Sequence, residues 1–243
     1  MIFARHSAVA FAALTLGCST PRQTIEDSAT SSLMPPPPPG ATSATSDWRS
    51  LFDGRTLNGW HVFHKAGSTA GWDVVDGAIT RVGAGGDLVT DDQFANFELE
   101  LEWNIAAGGN SGIMFRVDEK GEQTYHTGPE MQVLDDARHA DGKSRLTSAG
   151  AAYALYPSPT GVVKPAGEWN QVRLVVNGAH VEHWLNGQKV VEYELWSPDW
   201  EAKVKGSKFV EWPNFGREKT GHIALQDHGD RVAYRNIRIR VLP

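Results

Sequence analysis

One cysteine, Cys18, is all that the 243-residue chain contains. With no second thiol in the chain, no internal disulfide can staple the fold, and its stability has to come from a packed core. Basic blocks are also missing. The formal charge is −6, and no cluster of lysine and arginine offers the electrostatic footprint that nucleic acid requires. A long apolar run is lacking as well. The stretch AVAFAALTL, Ala8 to Leu16, is too short to span a bilayer and follows a single arginine, Arg5, as a secretory apolar region does. Gly17 and Cys18 come directly after it, as at the lipid-attachment site of bacterial lipoproteins; an ordinary signal peptide with an incidental cysteine is the plainer alternative. Either way the chain is expected to be exported, to the periplasm or the cell surface, and to meet membrane only through a lipid on Cys18.

Residues 19–46 hold few apolar side chains and many Ser, Thr, Ala and Pro, including the run Pro35 to Pro39. Such a composition buries too little apolar surface to offset ordering entropy, so a tether is expected there. Residues 47–243 then form one domain, long enough for a large core.

Helical periodicity is scarce in that domain, with no stretch longer than a turn or two. Period-two alternation dominates. In NFELELEWNI, Phe97, Leu99, Leu101, Trp103 and Ile105 take one face, and Glu98, Glu100 and Glu102 the other. On a helix those apolar residues would wind around the whole cylinder. Shorter alternations recur in GWDVVDGAITRV, SGIMFRV, EMQVLD, EWNQVRLVV, AHVEHWLNGQKVVEYEL and VAYRNIRIRVL. Asp76-Gly77, Asn177-Gly178 and Asn186-Gly187 supply hairpin turns. An all-β sandwich of two antiparallel sheets is expected. Of the nine tryptophans, Trp60, Trp72 and Trp103 read as core, while the parity of Trp184 aims it at a cleft or solvent.

Polar side chains interrupt three of the strands. GNSGIMFR places Arg116 on the parity of Gly112 and Met114. EMQVLD places Glu130 and Gln132 together, with Asp135 joining them only if the strand end re-aims it. In GHIALQDHGD, Gln226 and His228 share a parity opposite to Ile223 and Leu225. Taken singly, each is better explained as a solvated side chain. Together, a carboxylate, amides, a guanidinium and an imidazole suit a polyhydroxylated ligand. His61 with His64, or Asp227, His228 and Asp230, offer metal-ligand types without diagnostic spacing. No cofactor is therefore expected, with a cation on the DHGD run left open.

The set LFDGRTLNGW, GNSGIMFR, GPEMQVLD, AGEWNQVRLVVNG, HWLNG, SKFVEWPNFG and GHIALQDHGDRVAYRNIRI resembles the bacterial domain of unknown function 1080, a family associated with hydrolysis of 3-keto-disaccharides and 3-keto-glycosides. The resemblance runs from about Leu51 to Val241. It implies a concanavalin A-like jelly roll and a carbohydrate substrate. It also implies chemistry in which the C3 ketone acidifies the C2 proton, a base removes that proton, the C1 substituent leaves, and water adds back. By residue chemistry, Glu130 and His228 are the catalytic candidates, one as base and one assisting the leaving group. Asn110, Arg116, Gln132, Asp135, Trp184 and Gln226 are the candidate binding residues. Two alternatives are a direct retaining glycosidase, since Glu130-x-Gln132-x-x-Asp135 keeps the E-x-D-x-x-E spacing of jelly-roll glucanases, and a non-catalytic surface module that only binds sugar.

Overall fold

The computed structural model describes residues 47–243. Cys18, the leader and the 19–46 tether lie outside the described residues. Strands β1 (Arg49–Ser50), β2 (Trp60–Val62), β3 (Trp72–Val75), β4 (Ala78–Arg81) and β5 (Leu88–Thr90) come first. The long strands β6 (Phe97–Ile105) and β7 (Asn110–Val117) follow, then β8 (Glu130–Leu134), β9 (Asn170–Asn177), β10 (His180–Leu185) and β11 (Gln188–Glu194). After the one α-helix among the described residues, α1 (Pro198–Lys205), the chain closes with β12 (His222–Leu225) and β13 (Val232–Val241).

The strands make two antiparallel sheets, as the alternation predicts. The larger has the order β11-β10-β9-β6-β13-β4-β3 with β1 added beside β13; the smaller has the order β2-β5-β12-β7-β8. The result is a jelly-roll sandwich. Phe97, Leu99, Leu101, Trp103 and Ile105 of β6 face Ile113, Phe115, Met131, Val133, Ile223 and Leu225 of the smaller sheet across one buried core. Trp60, Trp72 and Trp103 all lie in that core.

The outward glutamates of β6 are paired rather than merely solvated. Glu102 meets Arg235 and Glu100 meets Arg238 (2.7 and 2.8 Å from the arginine Nε), while Glu98 takes both Arg240 and Arg173. Arg235 and Arg238 sit three positions apart, which a regular strand would put on opposite faces. A bulge between them, with Asn236 at φ 54°, inserts the extra residue that restores the phase.

The two-turn helix α1 follows sequence rules closely. The hydroxyl of Ser197 accepts from Trp200 N, Pro198 opens the first turn, and Asp199 and Glu201 precede Lys203 and Lys205. Its buried Trp200 lies against Tyr193 (ring centroids 5.3 Å) and Phe215 (5.9 Å), and Phe215 in turn stacks on Phe209 at 3.9 Å. This aromatic stack fixes the short 3-10 turn Lys208–Glu211 over the smaller sheet.

Candidate active site

The outward face of the smaller sheet can be read row by row from strand register. One row runs Glu130–Met114–Ala224–Val89–His61 across β8, β7, β12, β5 and β2. Next to it, Gln132 faces Gly112, whose carbonyl accepts from Gln226 N at 3.0 Å. Asp87 stands just ahead of β5, where its Oδ1 accepts from Asp227 N at 2.7 Å. Met114, Val89, Ala224, Val117 and Phe63 form a second, small apolar cluster on this face, with Tyr125 packed on it. The floor is thus apolar at its centre and polar along one side, an arrangement suited to a sugar ring with hydroxyls at its edge.

Glu130 is the most perturbed acid of this face. It is 8% exposed, and among the described residues no group donates a hydrogen bond to its carboxyl. Burial pushes its pKa up to about 8; Lys208 pulls against that rise, while Asp87 and Asp141 add to it. Gly112 makes the room, since a Cβ there would stand 2.0 Å from Glu130 Oε1. Lys208 begins the 3-10 turn, capped by Ser207, whose Oγ accepts from Phe209 N at 3.2 Å. Its ammonium lies 4.6 Å from the ring centre of Tyr153. Tyr153 donates its hydroxyl to Asp141 Oδ2 at 3.2 Å, and burial raises its own pKa to about 12. Asp87 accepts from the Thr124 hydroxyl, and burial raises its pKa as well.

The amides supply unmatched acceptors. Gln132 Nε2 donates to Thr147 O at 3.2 Å, leaving Oε1 buried without a partner; Asn110 Oδ1 and Gln226 Oε1 are buried and unpartnered too. Such atoms are costly to leave unpaired, and a small turn of each amide opens its oxygen to a donor such as a sugar hydroxyl. Tyr125, Tyr153 and Trp212 are half-buried aromatics around the same face, with Trp212 stacked on His126 at 4.8 Å.

The structure gathers Glu130, Gln132 and Gln226 on this face and puts Asn110 on the parity of Gly112. Other candidates go elsewhere. Arg116 takes φ 51° where β7 and β12 lose register, which turns its side chain inward. Its Nε and Nη2 donate to Ala95 O at 3.1 and 2.8 Å, and its guanidinium lies 5.8 Å from the Trp196 ring. Trp184 belongs to the outer face of the larger sheet, its Nε1 donating to Glu182 Oε2 at 2.7 Å. Asp135, just past β8, accepts from Gly108 N at 2.7 Å and from Ala137 N at 3.2 Å.

The parity that joins Gln226 to His228 breaks down because β12 ends at Leu225. Asp227 is instead anchored by Arg81 and by the N–H groups of Gly85 and Gly86 at 3.0 and 3.1 Å. His228 is exposed, with its ring 6.3 Å from that of His139. It lies near enough to Asp87 to work against the burial-driven rise of that carboxyl's pKa, and Asp87 in turn adds to the rise at Glu130. Sequence reasoning missed Asp87, Lys208, Tyr153, Asp141, Tyr125 and Trp212. Only SKFVEW, as part of the resemblance, pointed toward Lys208 and Trp212.

An apolar floor with aromatic walls, unmatched amides and one buried carboxyl on a jelly roll defines a carbohydrate-acting protein of glycoside-hydrolase type. The chain belongs to the family described as the 3-keto-alpha-glucoside-1,2-lyase-like domain, which matches residues 47–240. It is 38% identical over 225 residues to a 3-keto-disaccharide hydrolase of Bacteroides thetaiotaomicron, covering 79% of this chain and 78% of that one. Among solved structures, a candidate glycosyl hydrolase of Parabacteroides distasonis superposes with TM-score 0.76 at 36% identity, over 81% of this chain and 94% of that one. A second from the same organism gives 0.64 at 28% identity, over 81% and 100%.

Proposed function

We propose that this protein cleaves the glycosidic bond of 3-keto-glycosides by C2 deprotonation and elimination, followed by hydration. The observation that carries the reading is Glu130, buried on the outward face of the smaller sheet with its pKa raised to about 8 and with the charge of Lys208 acting on it across a gap. Elimination next to a ketone needs that combination: a strong base for the C2 proton and a positive charge for the oxygen that becomes an enolate. Glu130 takes the proton from C2, and the electron pair moves into the C2–C3 bond as the C3 oxygen gains charge beside Lys208. The enolate then re-forms the ketone and expels the C1 substituent, whose oxygen accepts a proton delivered from the rim, where His228 and His139 lie. Water adds to the resulting double bond. Gln132, Gln226 and Asn110 hold the sugar hydroxyls once their amides turn their unpartnered oxygens toward the ligand.

The arrangement supports this reading over a retaining double displacement. Asp135, which completes the glucanase-like spacing, is engaged with backbone amides, and both oxygens of Asp87 accept protein hydrogen bonds. Incubating the protein with 3-keto-trehalose and with trehalose tests the choice. Release of sugar from the keto compound alone supports elimination, and equal release from trehalose refutes it. Export with a lipid on Cys18 is part of the proposal and is supported by the Gly17-Cys18 junction after the apolar leader.

A further inference from the structure

A cavity of about 560 Å³ lies beside the segment from Asp135 to Ser148. Arg138, Lys143, Arg145 and Lys164 line it, and among the described residues none of the four enters an ion pair. The contrast with the larger sheet is sharp, where Arg173, Arg235, Arg238 and Arg240 are each matched to a glutamate. The two acids of the cavity, Asp135 and Asp136, do not neutralise the cations directly. Asp135 is turned to the N–H groups of Gly108 and Ala137, and Asp136 accepts from Ala149 N at 2.8 Å. Four cations against two acids make this a positive cavity in a chain of net charge −6.

The wall is built rather than loose. A Cβ on Gly142 would stand 2.2 Å from Asp136 O, so two backbone segments are packed directly together. His139 Nδ1 accepts from Asp141 N at 3.1 Å, and Arg138 N donates to Asp135 O at 3.2 Å. The same segment serves the cleft, because Asp141 receives the Tyr153 hydroxyl and Thr147 O receives Gln132 Nε2. An occupant of the cavity is therefore one wall away from the sugar-binding face.

From this we infer that the cavity binds the carboxylate of an acidic saccharide. The anion is called for by four cations without a carboxylate partner: among the described residues Arg138 and Lys143 make no side-chain hydrogen bond, while Arg145 and Lys164 donate to the backbone carbonyls of Ser158 and Trp169. The saccharide rests on the carbohydrate reading of the adjoining cleft. Guanidinium and ammonium donors hold such groups by charge-assisted hydrogen bonds, which lose strength when one donor is removed.

The test is equilibrium titration of the purified protein with glucuronate, with inorganic sulfate as the bare anion and glucose as the neutral sugar. Arg138→Gln/Lys143→Gln removes two exposed cations for which no side-chain hydrogen bond is seen, so the melting temperature should stay unchanged. Saturable glucuronate and sulfate binding in the millimolar range or tighter, weakened by salt and weakened roughly tenfold or more by the double variant, supports the inference. Glucose binding as tightly as glucuronate overturns it, as does sulfate binding without glucuronate binding, or no saturable binding of either anion. Glu130→Gln should leave glucuronate binding intact, which separates failure of the cavity from failure of the catalytic reading.

Discussion

Gly112 and Glu130 interlock across β7 and β8: the glycine lacks the one atom that would overlap the carboxyl, with only 2.0 Å between an added Cβ and Oε1. The close approach keeps Glu130 inside the sheet's outward face instead of letting it swing into water. Gly112→Ala should therefore displace the carboxyl, and a misplacement of about 1 Å at a reacting group costs about 10²-fold in rate. Steady-state turnover should show that loss, with a stability change of about 1–3 kcal/mol from overpacking. Unchanged turnover would mean that the position of Glu130 is immaterial to the chemistry.

Glu130 also links stability to pH. Its ordinary pKa of 4.5 rises to about 8 in the folded protein, so the folded state holds an extra proton between those values. Stability tied to that proton is complete below about 4.5 and is lost as pH rises through about 8, at roughly 1.4 kcal/mol per pH unit. Glu130→Gln has no proton to lose. Its melting temperature should gain steadily on that of the native protein from about pH 5 to about pH 8. A constant difference across that interval would contradict the burial argument.

Lys208 pulls the Glu130 pKa down, so Lys208→Gln should raise it. As Glu130 acts in its ionised form, kcat/KM for a 3-keto substrate rises with pH through that pKa. The variant's profile should move to higher pH and its rate at neutral pH should fall. A profile with an unmoved midpoint would separate Lys208 from the base.

Arg116 is predicted to matter for folding and not for turnover. Arg116→Met leaves Ala95 O without its donors, at about 1–3 kcal/mol in stability. Denaturant unfolding should register the loss, while kcat stays near the native value. A large fall in kcat with normal stability would restore Arg116 to the site.

The contrast between Arg116 and Glu130 shows what the sequence could convey. Strict alternation made β6 and its neighbours legible, and hairpin dipeptides placed the turns. Parity then located Glu130 and Gln132 correctly relative to each other, because β8 is regular. It misled at Arg116, where a left-handed residue re-aims the chain, and at His228, where β12 has already ended. Asp87, Lys208 and Tyr153 come from three distant segments, and only the packing of Trp200, Phe209 and Phe215 brings the last turn over the sheet. No local pattern carries that information.

The most direct measurement follows the hydrogen on C2 of 3-keto-trehalose in deuterium oxide by NMR. With the native protein, deuterium should enter C2 as sugar is released. With Glu130→Gln, both exchange and release should fall together by about 10²–10⁴-fold. Release of sugar with C2 still carrying its original hydrogen, or exchange that persists at the native rate in Glu130→Gln, would contradict deprotonation by Glu130.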